Sequence, residues 1–252
     1  MVVTRPAPDH RVLMDGIEAM GLRALHQPLF SIEPVASRAQ VTDALADADL
    51  AIVTSPAAAR TLSELLPDAA HGLPFLAPGT GTAGLLRRAG LDARSPVPSG
   101  DSEALLALPE LSDVQGRRVV VFGAPGGREL IQPRLRQRGA TVNFVQLYRR
   151  QPLELTRSFL KLLESGIAPV VIVSSALALG RLHDLVHEPV RARLLEGVFI
   201  LSSSRLERLA LELGAVHCLR ARSAASTDLL ATLGAAGEGT TPSGQQTPDP
   251  VA

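Results

Sequence analysis

The chain repeats itself. The segment MVVTRPAPDHRVLMDGIEAMGLRALHQPLFSIEP, from Met1, matches in pattern RVVVFGAPGGRELIQPRLRQRGATVNFVQLYRRQP, from Arg118. Both read as an apolar strand, a proline-containing turn, an amphipathic helix, a glycine and an extended segment ending in proline. Behind each comes another matched pair, AIVTSPAAAR at Ala51 and VIVSSALALGR at Val171, and then the stretches that start at Pro74 and Val198. Two copies of one plan, near 1–115 and 118–233, fill the chain. Short apolar runs alternating with helical patterns mean parallel sheets with crossover helices.

The predicted strands are 2–4, 50–54, 74–77, 118–122, 169–174 and 197–202. Predicted helices include 13–21, 57–66, 130–139 and 205–214, with glycine in place to stop three of them. Two extended segments, 26–34 and 143–152, carry proline at one or both ends, which suits connectors rather than central strands. Two sheets and two connectors imply a bilobal α/β protein with a cleft, a place where small molecules bind. Residues 234–252 are rich in Gly, Pro, Thr and Gln without an apolar period and read as a disordered tail.

Composition narrows the function. The 252 residues are 46% hydrophobic, enough for a substantial core, but only 3% aromatic with no tryptophan. Base stacking on aromatic platforms is therefore excluded as a way to hold single-stranded nucleic acid. Twenty-five basic and 25 acidic residues cancel, so no global field draws in DNA or an anionic membrane, and local donors must hold any anion. A single cysteine, Cys218, permits no intrachain disulfide. The N-terminal residues lack the basic start and long apolar stretch of a signal peptide, and no run approaches the ~20 apolar residues of a membrane span. The expectation is a cytoplasmic monomer. Lys161 is the one lysine, so Schiff-base chemistry is disfavoured and carboxylate or phosphate recognition falls to arginine.

Several motifs carry chemistry. Gly79-Thr-Gly-Thr-Ala-Gly84 fits GxGxxG between a strand and a helix, with Asp101 and Glu103 about 20 residues on. The stretch before those acids does not read as a second strand, so a helix N-terminus with free N–H groups is the competing reading. Gly123-Ala-Pro-Gly-Gly-Arg128 lacks the ending of a P-loop and is a tight turn or an anion cradle. His183 and His187 stand at i and i+4 of an expected helix, but no third metal ligand is evident. Hydroxyl residues recur where strands end, at Thr4, Ser55, Thr82, Ser174, Ser175, Ser202, Ser203 and Thr227. In open parallel sheets that edge forms the ligand crevice, although helix capping also uses such residues. Tyr148 is the single tyrosine; its phenol can donate a hydrogen bond or a proton.

In order and spacing these segments resemble the uroporphyrinogen-III synthase family from Val2 to Leu233. The carriers are MVVTRP, PLFSIEP at Pro28, IVTSPAAAR at Ile52, APGTGTAGLLRRAG at Ala77, DSEALLAL at Asp101, GGREL at Gly126 and VQLYRRQP at Val145. The resemblance implies two lobes, 1–34 plus 153–233 and 35–145, joined by a two-stranded connector. It implies conversion of hydroxymethylbilane to uroporphyrinogen III with inversion of ring D, without cofactor or metal. By motif, Tyr148 is the implied catalytic residue, and Arg5, Ser55 and Thr82 match substrate-binding positions, with Thr227 a looser match. Ser174 and Ser203 join them from the strand-end pattern. Departures are Pro78 for an aliphatic residue, Phe122 for an arginine before the glycine turn, and Ala57 for a polar residue. The alternatives are a non-catalytic tetrapyrrole-binding module of the same fold and a nucleotide-dependent oxidoreductase using the Gly79–Gly84 turn.

Overall fold

The computed structural model describes residues 1–66, 70, 72–97, 102–126 and 130–238. Asp101, Gly127, Arg128 and the tail from 239 onward lie outside the described residues. The first copy runs β1 (Val2–Val3), α1 (Arg11–Ala19), β2 (Leu25–His26), β3 (Phe30–Pro34), α2 (Arg38–Ala46) and β4 (Leu50–Val53). It continues with α3 (Pro56–Leu65), β5 (Phe75–Leu76), α4 (Thr80–Arg88), β6 (Ala93–Arg94) and α5 (Ser102–Leu106). The second copy runs β7 (Arg118–Gly123), α6 (Ile131–Gln137), β8 (Thr141–Gln146), β9 (Tyr148–Pro152), α7 (Arg157–Glu164) and β10 (Val170–Val173). Then come α8 (Ala176–Leu185), α9 (Val190–Leu195), β11 (Val198–Leu201), α10 (Ser204–Glu212), β12 (His217–Arg220) and α11 (Ser226–Glu238).

The strands form two five-stranded sheets, ordered β12-β11-β10-β1-β2 and β6-β5-β4-β7-β8, and a separate pair, β3-β9. Both large sheets are parallel throughout. The small one is antiparallel, from Phe30 opposite Pro152 to Pro34 opposite Tyr148. The copies exchange strands: each large sheet takes two strands from the start of one copy and three from the end of the other. Equivalent strands occupy equivalent places, β12 with β6 and β1 with β7. The result is two similar lobes joined by the β3-β9 ribbon.

Both faces of each large sheet are covered. Along β4, Leu50 and Ile52 join Val119, Val121 and residues of α5 and α6 in one core. Ala51 and Val53 point the other way, to a core shared with α3 and α4. This alternation explains why the strands read as unbroken apolar runs. The other lobe does the same, with Val171 and Val173 facing α8 and α10 and Ile172 facing α1 and α11. Local signals set the helix ends. Ser55 caps α3 with Pro56 in its first turn. α6 and α10 are followed by Gly139 and Gly214 at φ 82° and 94°, a left-handed turn that glycine enters without steric cost.

Three expectations need correction. Each expected connector holds two strands rather than one. His26 belongs to edge strand β2, and 143–146 to edge strand β8. Pro28, with no N–H to give a ladder, lies between β2 and β3; Leu147 lies between β8 and β9. Residues 234–238, expected to belong to the tail, are the last turn of α11, which runs through Gly234 to Glu238. His183 and His187 do not share a helix, since α8 ends at Leu185. Among the described residues no group of His, Cys, Asp and Glu is placed to hold a metal, and no helix is long and apolar enough to cross a membrane.

The ribbon is tied by Glu33. Its carboxylate accepts from Arg149 Nε and Nη2 at 2.8 and 2.7 Å and from Gln151 Nε2 at 2.9 Å. These donors, with the Arg149 hydrogen bond foremost, hold its pKa down to about 2. A depressed carboxylate stabilises the folded chain above the ordinary carboxylate range, and the contribution disappears as pH falls through about 2. In an NMR titration the Glu33 carboxyl should have its midpoint near that value, and Arg149→Gln should move it up. A second expectation concerns the core. Phe75 is fully buried, and Phe75→Ala should cost about 3–5 kcal/mol in a urea melt.

Candidate functional site

Parallel strands all end on one edge of their sheet, and here the two such edges open on one cleft of about 1490 Å³. That exceeds the roughly 300–1,000 Å³ usual for a small-molecule pocket. In each sheet the strand order reverses at one point, between β1 and β10 and between β4 and β7, where open α/β sheets bind ligands. Arg5, Ser174 and Ser175 line the cleft from the first of these points. Thr54, Ser55 and the Ala124–Gly126 turn line it from the second.

Tyr148 opens β9 where the ribbon meets the cleft and is only 2% exposed. Its hydroxyl lies 3.1 Å from Ser55 Oγ and accepts from Arg150 Nη2 at 3.1 Å. The Arg150 guanidinium also lies 5.3 Å from the centre of the phenol ring and donates to the Pro125 carbonyl at 2.8 Å. Ser55 Oγ meanwhile accepts from the Ala58 amide at 3.1 Å, as cap of α3. When Ser55 donates to Tyr148, the phenol has spent both acceptor positions and its own proton remains to offer. The Arg150 N–H then meets any negative charge that develops on the oxygen as that proton leaves.

The other sequence candidates reach the same cleft. Thr82 lies in the first turn of α4, 4% exposed, behind Gly79, which caps the helix without a side-chain hydrogen bond. Ser174 directly follows β10, but the cap of α8 is its neighbour Ser175. Ser203 caps α10, accepting from the Leu206 amide at 3.3 Å. Thr227 sits in the first turn of α11. Arg5 donates to Ser226 Oγ at 3.1 Å and the Ala224 carbonyl at 2.6 Å. Burial, and then the charge of Arg60, lowers its pKa to about 10, so it stays charged at neutral pH. All seven candidates thus line one cavity.

Two other motifs read differently in three dimensions. The Gly79–Gly84 turn does sit between a strand and a helix, but the next strand, β6, ends in Arg94. A dinucleotide site wants an acid at that place. Phe122 is fully buried in the core of its lobe and contributes no polar group to the cleft.

Sequence reasoning missed the charge of this cavity. Among the described residues its lining holds eight arginines and one carboxylate: Arg5, Arg205, Arg220 and Arg222 in one lobe, Arg60, Arg88, Arg136 and Arg150 on the other side, with Asp9 alone. Arg220 pairs with Glu207 and Arg222 with Asp228. A chain of zero net charge has placed eight of its 25 basic side chains around one cleft, with a single carboxylate among the described lining residues. The signal was present in sequence only as arginines spread among several helix and strand ends.

A family model described as uroporphyrinogen-III synthase HemD matches residues 12–226. The uroporphyrinogen-III synthase of Salmonella typhimurium is 33% identical over 227 residues, covering 85% of this chain and 91% of its own. That of Escherichia coli is 31% identical over 224 residues, with the same coverage. Two solved structures share the fold. A mutant uroporphyrinogen III synthase from Thermus thermophilus superposes with a TM-score of 0.65 at 20% identity, covering 94% of this chain and 96% of its own. The uroporphyrinogen-III synthetase of Helicobacter pylori gives 0.59 at 14% identity, covering 93% and 98%. The matched span, the two curated relatives and the exchanged-strand architecture agree: the chain belongs to the uroporphyrinogen-III synthase family.

Proposed function

We propose that this chain closes hydroxymethylbilane to uroporphyrinogen III, with Tyr148 as proton donor and the arginine-lined cleft as the mould. The observation that carries the proposal is the partly buried cluster of Tyr148, Ser55 and Arg150 opening on a cavity of concentrated positive charge. The substrate carries eight carboxylates. Arg5 and the hydroxyls and amides at Thr82, Ser174, Ser203 and Thr227 are suited to receive them from both lobes, while Ser55 lines the cleft with its hydroxyl engaged by Tyr148.

The chemistry starts at ring A. Its hydroxymethyl C–O bond breaks as Tyr148 gives a proton to the departing oxygen, so that water leaves and a cationic azafulvene remains. The substituted carbon of ring D attacks that centre, and the resulting spiro intermediate fragments and recloses with ring D reversed. The final ring proton returns to the phenolate. Closure at the unsubstituted carbon gives the wrong isomer without help, so the protein's main task is to control shape. Preorganised geometry can supply about 7–11 kcal/mol, whereas loss of one positioned donor costs about 2.7–4 kcal/mol. Confinement therefore outweighs any single side chain. A cytoplasmic monomer with no nucleic-acid partner completes the reading, in keeping with the balanced overall charge.

The deciding experiment supplies freshly generated hydroxymethylbilane and analyses the isomers formed. Type III product growing with enzyme concentration is expected; type I alone at every concentration would remove the catalytic reading. Tyr148→Phe should lower kcat about a hundredfold while the product remains type III. Arg150→Gln should also lower kcat, with little change in KM, because its hydrogen bonds go to the phenol and to Pro125 rather than into the open cleft.

A further inference from the structure

Asp9 and Arg60 face each other across the cleft. Asp9 lies in the loop between β1 and α1, in one lobe, and Arg60 on α3, in the other. Asp9 Oδ1 and Arg60 Nη2 are in direct contact. The aspartate side chain is 15% exposed and the arginine 33%, so the pair is neither fully solvated nor sealed away. Arg60 Nε is buried without a hydrogen-bond partner, which leaves the guanidinium with bonding capacity unspent.

The surroundings make this pair unusual. Arg88 and Arg5, both in the cavity lining, stand close enough to Arg60 for their charges to be felt there. Arg60 thus sits among like charges, and Asp9 is the one carboxylate among the described residues that line the cavity. The pair also bridges two bodies that are otherwise joined by the β3-β9 ribbon. An incoming carboxylate and Asp9 would compete for the same N–H groups.

We propose that Asp9 and Arg60 form a latch across the cleft that a carboxylate of the substrate displaces, so that Asp9 is a built-in competitor and Arg60 a carboxylate anchor. This rests on the reading of the cleft as a site for a polycarboxylate tetrapyrrole. Exchange of one carboxylate for another conserves the ion pair at Arg60 while it frees the lobes from their direct tie. Binding is thereby coupled to lobe movement, and the competitor sets a threshold. A ligand that cannot reach Arg60 leaves the latch shut.

The competitor role has a sign that a merely structural contact lacks. The probe is uroporphyrin, an octacarboxylic porphyrin, titrated into the full chain and followed by its own fluorescence; turnover plays no part. Asp9→Asn keeps the shape but removes the competing charge, and should bind several-fold tighter. Asp15→Asn makes the same charge change at an exposed position of α1, outside the cleft lining, and should bind as the parent does. Arg60→Gln should bind weaker, on the order of tenfold, and Asp9→Asn should add nothing in the Arg60→Gln background. Circular dichroism confirms that each variant is folded. The latch is overturned if Asp9→Asn binds no tighter than Asp15→Asn, if it still tightens binding in the absence of Arg60, or if the parent does not bind the porphyrin. The isomer assay is run alongside. An inactive parent would end the catalytic reading while the opposite-signed shifts still upheld the latch, and activity without those shifts would do the reverse.

Discussion

A parallel strand can end on only one edge of its sheet, and this constraint organises the molecule. It collects the first turns of α3 and α4 on one rim and those of α8, α10 and α11 on the other. Each of those turns or its cap brings a hydroxyl residue to the cleft lining, and the ribbon sets the two rims face to face. The ring of hydroxyls in the cleft is therefore a by-product of topology, to which the eight arginines add charge. Tyr148, at the end of the ribbon itself, is the main addition.

The duplication was readable because it is written in apolar runs, and buried parallel strands such as 170–173 have to be apolar on both faces. Strands at the sheet margins were not readable. Ala93–Arg94 and His217–Arg220 pair on one side only and carry charged or polar residues, so they lack the signal that marks their neighbours. Helix α2 was also passed over. Its sequence RAQVTDALA buries only Val41, and its clearest mark is the reciprocal cap between Ser37 and Gln40. The tail was expected from Gly234, but a packed helix tolerates that glycine at modest cost, and α11 runs past it to Glu238.

The site divides along the same line. Tyr148 stood out as the lone tyrosine, and the hydroxyls stood out because they repeat at strand ends. Arg150 could have been noticed two residues along the same strand, since alternate residues share a face. Asp9 and Arg60 could not. They are 51 positions apart by their numbering, belong to different lobes, and meet only once both lobes exist. Pairs of that kind leave no local trace, and charge balance over the whole chain conceals them further.

The exchanged strands also bear on how the protein is made. All five strands of one large sheet lie between residues 50 and 146, whereas the other draws on 2–26 and 170–220. A polypeptide leaving the ribosome can therefore complete the inner lobe while β1, with β2 on one side, still lacks β10 on the other because that strand is not yet synthesised. The amino-terminal β1, apolar and short, is the segment exposed during that interval. Biogenesis of this molecule is a problem of holding one end safe until the other arrives.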